Sequence, residues 1–147
     1  MDLSWFRIQT DIEELASKIR SSGEEFDHML CVARGGLVIG GLLSHLIKVG
    51  KISSIDLKHY KGQMALEEVS EISPACAVTQ GEKVLVVDDL VDTGDTAKFV
   101  HDKYGDDVNI KVAVLYDKTE GKNPPDFCVE EAPADEWITF PWEIGDE

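Results

Sequence analysis

Positive charge is what this sequence has least of. Fourteen Lys and Arg face 29 Asp and Glu, a formal net charge of −15 at pH 7, and only Arg7, Arg20 and Arg34 carry a guanidinium. Nucleic acids and anionic lipid surfaces are held through clustered cations, so neither is an expected partner. Cysteine is scarce as well: Cys31, Cys76 and Cys128 are odd in number and far apart, with no CxxC or CxxH spacing. That argues against a thiolate zinc site and for small hydrophobes in a reducing cytoplasm. No run reaches membrane-span length, and MDLSWFRIQT lacks the apolar core of a signal peptide. The expectation is a soluble cytoplasmic protein. If its ligand is an anion, the chain must hold it with backbone amides, a helix N-terminus, a few fixed cations or a metal ion.

What is present is enough for one domain, residues 1–147: 43% of the chain is hydrophobic. Thr10-Asp11-Ile12-Glu13 reads as a capping box opening a helix, with Ile12, Leu15, Ala16 and Ile19 on one face and Gly23 as its stop. His28–Ala33 is a short buried strand, broken by Arg34-Gly35-Gly36. Leu37–Ile47 reads as a helix apolar almost all round, hence buried. Further strands are expected over Ile52–Tyr60, Lys83–Val87, Asn109–Tyr116 and Phe127–Val129, with a helix from about Asp95 to Tyr104. Between them, 61–80 is polar and poorly patterned, as a functional lid would be. Helices alternating with buried β-rich runs indicate an α/β fold, a mainly parallel twisted sheet flanked by helices.

The chemistry concentrates in VLVVDDLVDTGDTA, Val84–Ala97. In a parallel sheet, ligands sit beyond the carboxyl ends of the strands. Asp88 and Asp89 reach that end together, where two carboxylates repel unless sugar hydroxyls or a hard divalent cation offset their charge. Asp92-Thr93-Gly94-Asp95-Thr96 then supplies amides around a glycine and the start of a helix, a nest for a phosphate monoester. Carboxylates for a ribose a few residues from a nest for its phosphate describe a ribose 5-phosphate site. A capped helix with merely solvated aspartates leaves that coincidence unexplained. VLVVDD is also similar to the first strand of a phospho-receiver domain. The 58 residues after Asp89 are too few for the later strands and helices of that fold.

Val84–Ala97 resembles the phosphoribosyl-pyrophosphate (PRPP) signature of type I phosphoribosyltransferases. Ala33-Arg34-Gly35-Gly36-Leu37 resembles that family's pyrophosphate loop. Tyr116-Asp117-Lys118 and Glu136–Glu143 resemble the purine-binding elements of the small xanthine-guanine and hypoxanthine enzymes. The resemblance spans nearly the whole chain and implies transfer of a phosphoribosyl group from PRPP to a purine, releasing pyrophosphate. It implies that Asp88 and Asp89 contact the ribose, with Asp89 on Mg2+, and that Asp92 sits near purine N7 as acceptor or general base. Thr93, Gly94, Asp95 and Thr96 would cradle the 5-phosphate, Asp95 through its backbone alone.

Arg34 would hold pyrophosphate through its fork of donors, and Gly35 would let the backbone approach closely. Lys118 would donate to O6 of a 6-oxopurine, Trp137 would stack on the base and the Ile138 backbone would read the ring edge. Segment 61–80 would be the hood over PRPP, with Tyr60 and Lys61 as contacts; it holds one lysine and no arginine. Residues 118–147 would form the base-binding tail. Xanthine, guanine and hypoxanthine all remain open, and the family's habit implies a homodimer or homotetramer. Two alternatives stand beside this: a phosphoribosyltransferase for another base, and a PRPP- or nucleotide-sensing regulator that kept the fold.

Overall fold

Ser4, not Thr10, opens the first helix. In the computed structural model, which describes residues 1–61, 67–73, 78–105 and 108–144, helix α1 runs Trp5–Ser22 and the Ser4 hydroxyl accepts from the Arg7 amide. Both sites carry an N-cap residue type, and the earlier one wins because buried Ile8 extends the packed face ahead of Thr10. Thr10 lies inside the helix and donates its hydroxyl to the Phe6 carbonyl at 3.1 Å, the usual resort of a mid-helix threonine. Gly23 ends the helix in the left-handed region, φ 77°, as its position in the sequence indicated.

The chain continues through β1 (His28–Ala33), α2 (Gly35–Ile47), β2 (Ile52–Lys61), β3 (Glu67–Ser73), β4 (Lys83–Val91), α3 (Asp95–Tyr104), β5 (Asn109–Asp117) and β6 (Phe127–Glu131), ending in a 3-10 turn at Pro141–Glu143. The sheet order is β3-β2-β1-β4-β5-β6. Five strands from β2 to β6 are parallel, and β3 pairs antiparallel with β2 at one edge. Part of the stretch expected to lack structure is therefore a strand. Its sequence, EEVSEIS, is charged and only weakly alternating, which suits an edge better than a core and hides it from a hydrophobic pattern. Residues 62–66 and 74–77, and the side chains of 57–61 and 67–73, lie outside the described residues.

Alternate residues of the central strands face two different cores. Met29, Cys31, Leu85, Val87, Ala113 and Leu115 pack under α1 and α2. Leu30, Val32, Val84, Val86 and Ile55 pack with Val100 of α3 on the other side. Burial on both faces is why β1 and β4 read as continuous apolar runs. Helix α2 departs from expectation: Ile39 and Leu43 are fully buried, but Leu37, Val38 and Leu42 are exposed. Its sheet-facing and α1-facing sides are covered, and within the described residues nothing covers the third.

At the amino ends of the strands, opposite α2's start, a polar staple joins three strands. Buried His28 places Nε2 2.8 Å from Ser53 Oγ and Nδ1 3.2 Å from Glu82 Oε1. Glu82 also accepts from Lys51 Nζ at 2.8 Å and from the Thr79 amide at 2.7 Å. The Lys51 ammonium and then the Thr79 amide lower the Glu82 carboxyl from its ordinary 4.5 to about 2. A depressed carboxylate adds stability that is fully present above its unfolded value and is lost as pH falls through its folded one. Acid titration of unfolding free energy should therefore show a decline between pH 4.5 and about 2 that is smaller in Glu82→Gln; an unchanged profile in the variant would refute the staple's role.

Candidate active site

The chain runs β1 to β2 on one side and β4 to β5 on the other, so the strand order reverses between β1 and β4. A crevice opens at the carboxyl end of the sheet at such a reversal. The segments leaving β1 and β4 are Arg34-Gly35 and Asp88–Thr96. Strand β4 extends four residues beyond Val87, to Val91, so Asp88 and Asp89 lie within it rather than just past its end. Each carboxylate accepts from the following amide, Asp88 Oδ1 from Asp89 N and Asp89 Oδ1 from Leu90 N, both at 2.8 Å. Those bonds do not neutralise the pair. Burial, and then the neighbouring Asp89 charge, lifts the Asp88 carboxyl well above the carboxylate range. Burial raises Asp89 too, with Glu143 adding repulsion.

Asp88, Asp89, Asp92, Thr93, Gly94 and Thr96 line one cavity of about 350 Å3. Gly94 takes φ 85° and precedes α3, whose first turn begins at Asp95. The Asp95 amide donates to Thr93 Oγ1 at 3.3 Å, and Asn123 of the β5–β6 loop closes on Gly94, whose added Cβ would lie 3.0 Å from the Asn123 Cβ. Only glycine takes this φ without cost. The acidic pair and the amide nest thus share one crevice.

A second recess, about 250 Å3, adjoins it and is lined by Arg34, Gly35, Val38, Asp89, Trp142 and Glu143. The Ala33–Arg34 peptide is cis. A Cβ at Gly35 would run into the Asp89 carboxylate, and one at Gly36 into the Val87 carbonyl, so the glycine pair lets the start of α2 lie directly on β4. Asp89 faces both recesses and is the carboxylate best placed for a shared cation. Among the described residues no group of three or more His, Cys, Asp or Glu side chains could enclose a metal. A hard ion here would take one or two protein oxygens and complete its shell with water and ligand, the habit of Mg2+.

Lys118 sits next to this crevice by register. Val91 pairs with Asp117, and the Lys118 amide donates to the Val91 carbonyl at 2.8 Å, which sets Lys118 beside Asp92. Trp137 and Ile138 do not line the acidic cavity. Trp137 is 77% exposed, and the Ile138 side chain is buried in the core under α1. The segment carrying them is tied to the N-terminus: Met1 N donates to the Trp137 carbonyl at 2.6 Å and Leu3 N to the Thr139 carbonyl at 2.9 Å. Tyr60 and Lys61 are described only as backbone at the end of β2, and their side chains lie outside the described residues.

Trp142 and Glu143, not singled out from the sequence, line the second recess. Trp142 stacks on Phe140 at 4.7 Å, and Phe140 meets Tyr116 of β5 edge-on at 6.2 Å. The Glu143 carboxylate accepts from the Phe140 amide at 2.9 Å, which turns it toward Asp89. The dense aromatics of the tail were a signal that it packs, but no local pattern says on what.

The chain matches the family model described as phosphoribosyl transferase domain over residues 4–147. It is 32% identical to the xanthine-guanine phosphoribosyltransferase of Gluconobacter oxydans over 144 residues, 97% of this chain and 84% of that one. Its fold superposes with TM-score 0.81 on a purine phosphoribosyltransferase from Pyrococcus horikoshii, 32% identical, covering 97% of this chain and 92% of that one. A Neisseria gonorrhoeae protein solved with bound ppGpp is also similar, with TM-score 0.81, 27% identity and 98% and 89% coverage.

The strained electrostatics predict their own relief. Asp88→Asn keeps the acceptor for the Asp89 amide and removes a carboxyl whose ionised form burial and Asp89 oppose. The ligand-free variant should be more stable than the parent by on the order of 1 kcal/mol at neutral pH, read by urea unfolding. Equal or lower stability would mean the pair is already neutralised by its surroundings.

Proposed function

This chain belongs to the phosphoribosyl transferase domain family, and on that premise we infer that it is a purine salvage phosphoribosyltransferase, moving the 5-phosphoribosyl group of PRPP onto a 6-oxopurine with release of pyrophosphate. The observation that carries this is the single crevice where Asp88 and Asp89 face the Gly94 nest. The relatives named for purine transfer support the base class, and a neighbour holding ppGpp, a guanine nucleotide, agrees with it. The relatives' names do not favour a sensor that merely kept the fold.

In this reading the 5-phosphate rests on the amides of Thr93–Thr96, where the start of α3 adds its dipole. Asp88 and Asp89 take the ribose hydroxyls, whose donors replace the repulsion with hydrogen bonds. Arg34 lies at the pyrophosphate end, with Gly35 allowing the diphosphate against the backbone. The new bond joins a purine ring nitrogen to the anomeric carbon as the bond to pyrophosphate oxygen breaks, with inversion. Asp92 holds the purine N7 edge as acceptor or general base. Lys118 donates to O6; adenine would present a donor to that donor, which disfavours it. Mg2+ bound at Asp89 would neutralise the departing diphosphate. Trp137 stacks on the base and the Ile138 backbone reads its edge. Hood segment 61–80, with Tyr60 and Lys61, would cover PRPP and keep water from the activated centre. The free thiols Cys31 and Cys128 suit the cytoplasm, and the exposed apolar residues Leu37, Val38 and Leu42 of α2 suit a homodimer or homotetramer.

The test mixes protein, Mg2+ and PRPP with hypoxanthine, guanine, xanthine or adenine and follows pyrophosphate. Release is expected with at least one 6-oxopurine and not with adenine. Asp92→Asn should lower kcat by on the order of 10²-fold, as removal of a positioned acid–base group does, and Arg34→Ala should act mainly on the PRPP step. No release with any base at saturating PRPP would sink the assignment.

A further inference from the structure

We propose that Asp117 is a positioning residue for Lys118 and so sets how tightly the purine base is held. The inference rests on the reading of Lys118 as the O6 contact. Lysine carries its charge on a flexible four-carbon stem, so where that charge falls depends on how firmly its backbone is set. Asp117 is the last residue of β5 and is 4% exposed, as buried as the apolar residues before it. An aliphatic side chain would fill that place without the desolvation a carboxylate suffers. The carboxylate instead bridges over Lys118: Asp117 Oδ1 accepts from the Thr119 amide at 2.8 Å and from the Thr119 hydroxyl at 2.7 Å. Thr119 is itself buried, at 5%.

Lys118 is thereby the middle residue of a turn closed by a side chain, the device by which aspartate fixes the two residues that follow it. Its own amide is bonded to the Val91 carbonyl, and the Asp117 carbonyl accepts from Ala132 at 2.8 Å. The lysine is pinned before, at and after its own position. Three anchors within three residues, one of them a buried charge, exceed what ending a strand requires. They set the Lys118 backbone beside Asp92, where the base would lie.

The test compares Asp117→Ala, Asp117→Asn, Thr119→Val and Lys118→Ala in the Mg2+–PRPP assay, varying hypoxanthine or guanine and then PRPP. Asp117→Ala is expected to raise the KM for the base about tenfold and to change the KM for PRPP less than about twofold, the loss expected of a charge-assisted hydrogen bond. Asp117→Asn, which keeps the acceptor oxygen, should return the base KM close to the parent's. Thr119→Val, which loses the hydroxyl and keeps the amide, should move it the same way by less, and it decides the question if Asp117→Ala does not fold. Equal rises in both KM values, or an Asn variant no better than Ala, would show a merely structural residue and overturn the proposal. If Lys118→Ala raises the base KM while Asp117→Ala and Thr119→Val leave it alone, the positioning role fails and the base contact stands. If Lys118→Ala leaves it unchanged, the base contact fails and the inference with it.

Discussion

Two carboxylates held side by side where water is scarce are the constraint around which this molecule is arranged. Burial disfavours the ionised form of both Asp88 and Asp89, the Asp89 charge adds to this at Asp88, and the fold brings them together regardless. It does so with the cheapest geometry available: adjacent positions on a core strand, with a glycine pair against them that leaves no side chain to push them apart. The cost is local, and in the proposed function the benefit would appear only when hydroxyl donors or a cation arrive. Binding sites commonly carry such unsatisfied electrostatics, because a surface optimised for its empty state has nothing left to offer a ligand.

The same logic would let a chain with net charge −15 hold a polyanion, as the proposed function requires. Long-range attraction is absent, so each negative group of the ligand must meet a short-range device. In the proposed function the Gly94 turn would offer oriented amides, the recess beside Gly35 would offer Arg34, and Asp89 would seat a divalent ion. These devices sit on different segments and become one site only because β1 and β4 are neighbours and diverge at their carboxyl ends. At the other end of the same strands the His28–Glu82–Lys51 staple holds the neighbours in register.

Much of this was legible before any coordinates. Burial on both faces made β1, β4 and β5 readable as apolar runs, and Gly23 stopped α1 where an αL position was needed. The acidic pair and the Gly94 nest are contiguous in the chain, so their joint chemistry could be inferred from spacing. Four features resisted. Ser4 and Thr10 are both competent caps, and only packing chose between them. Charged β3 carries no hydrophobic signal. Helix α2 is apolar on three sides, whereas packing on the sheet face over β1 and β4 and against α1 covers only two of them. The Ile138 side chain joins the core while its neighbour Trp137 is exposed, an arrangement that no nearby residue announces.

By itself, then, the order of residues determined which groups to propose for the chemistry: Asp88, Asp89, Asp92, the Thr93–Thr96 turn, Arg34 and Lys118. It could do so because each is marked by its immediate neighbours, and local backbone geometry follows from local sequence. Tertiary structure alone decided which distant groups share their space. Glu143 faces Asp89, Asn123 closes on Gly94, and Lys118 stands beside Asp92 through strand register. Those meetings depend on how aromatic and aliphatic side chains pack at long range, which no spacing along the chain records.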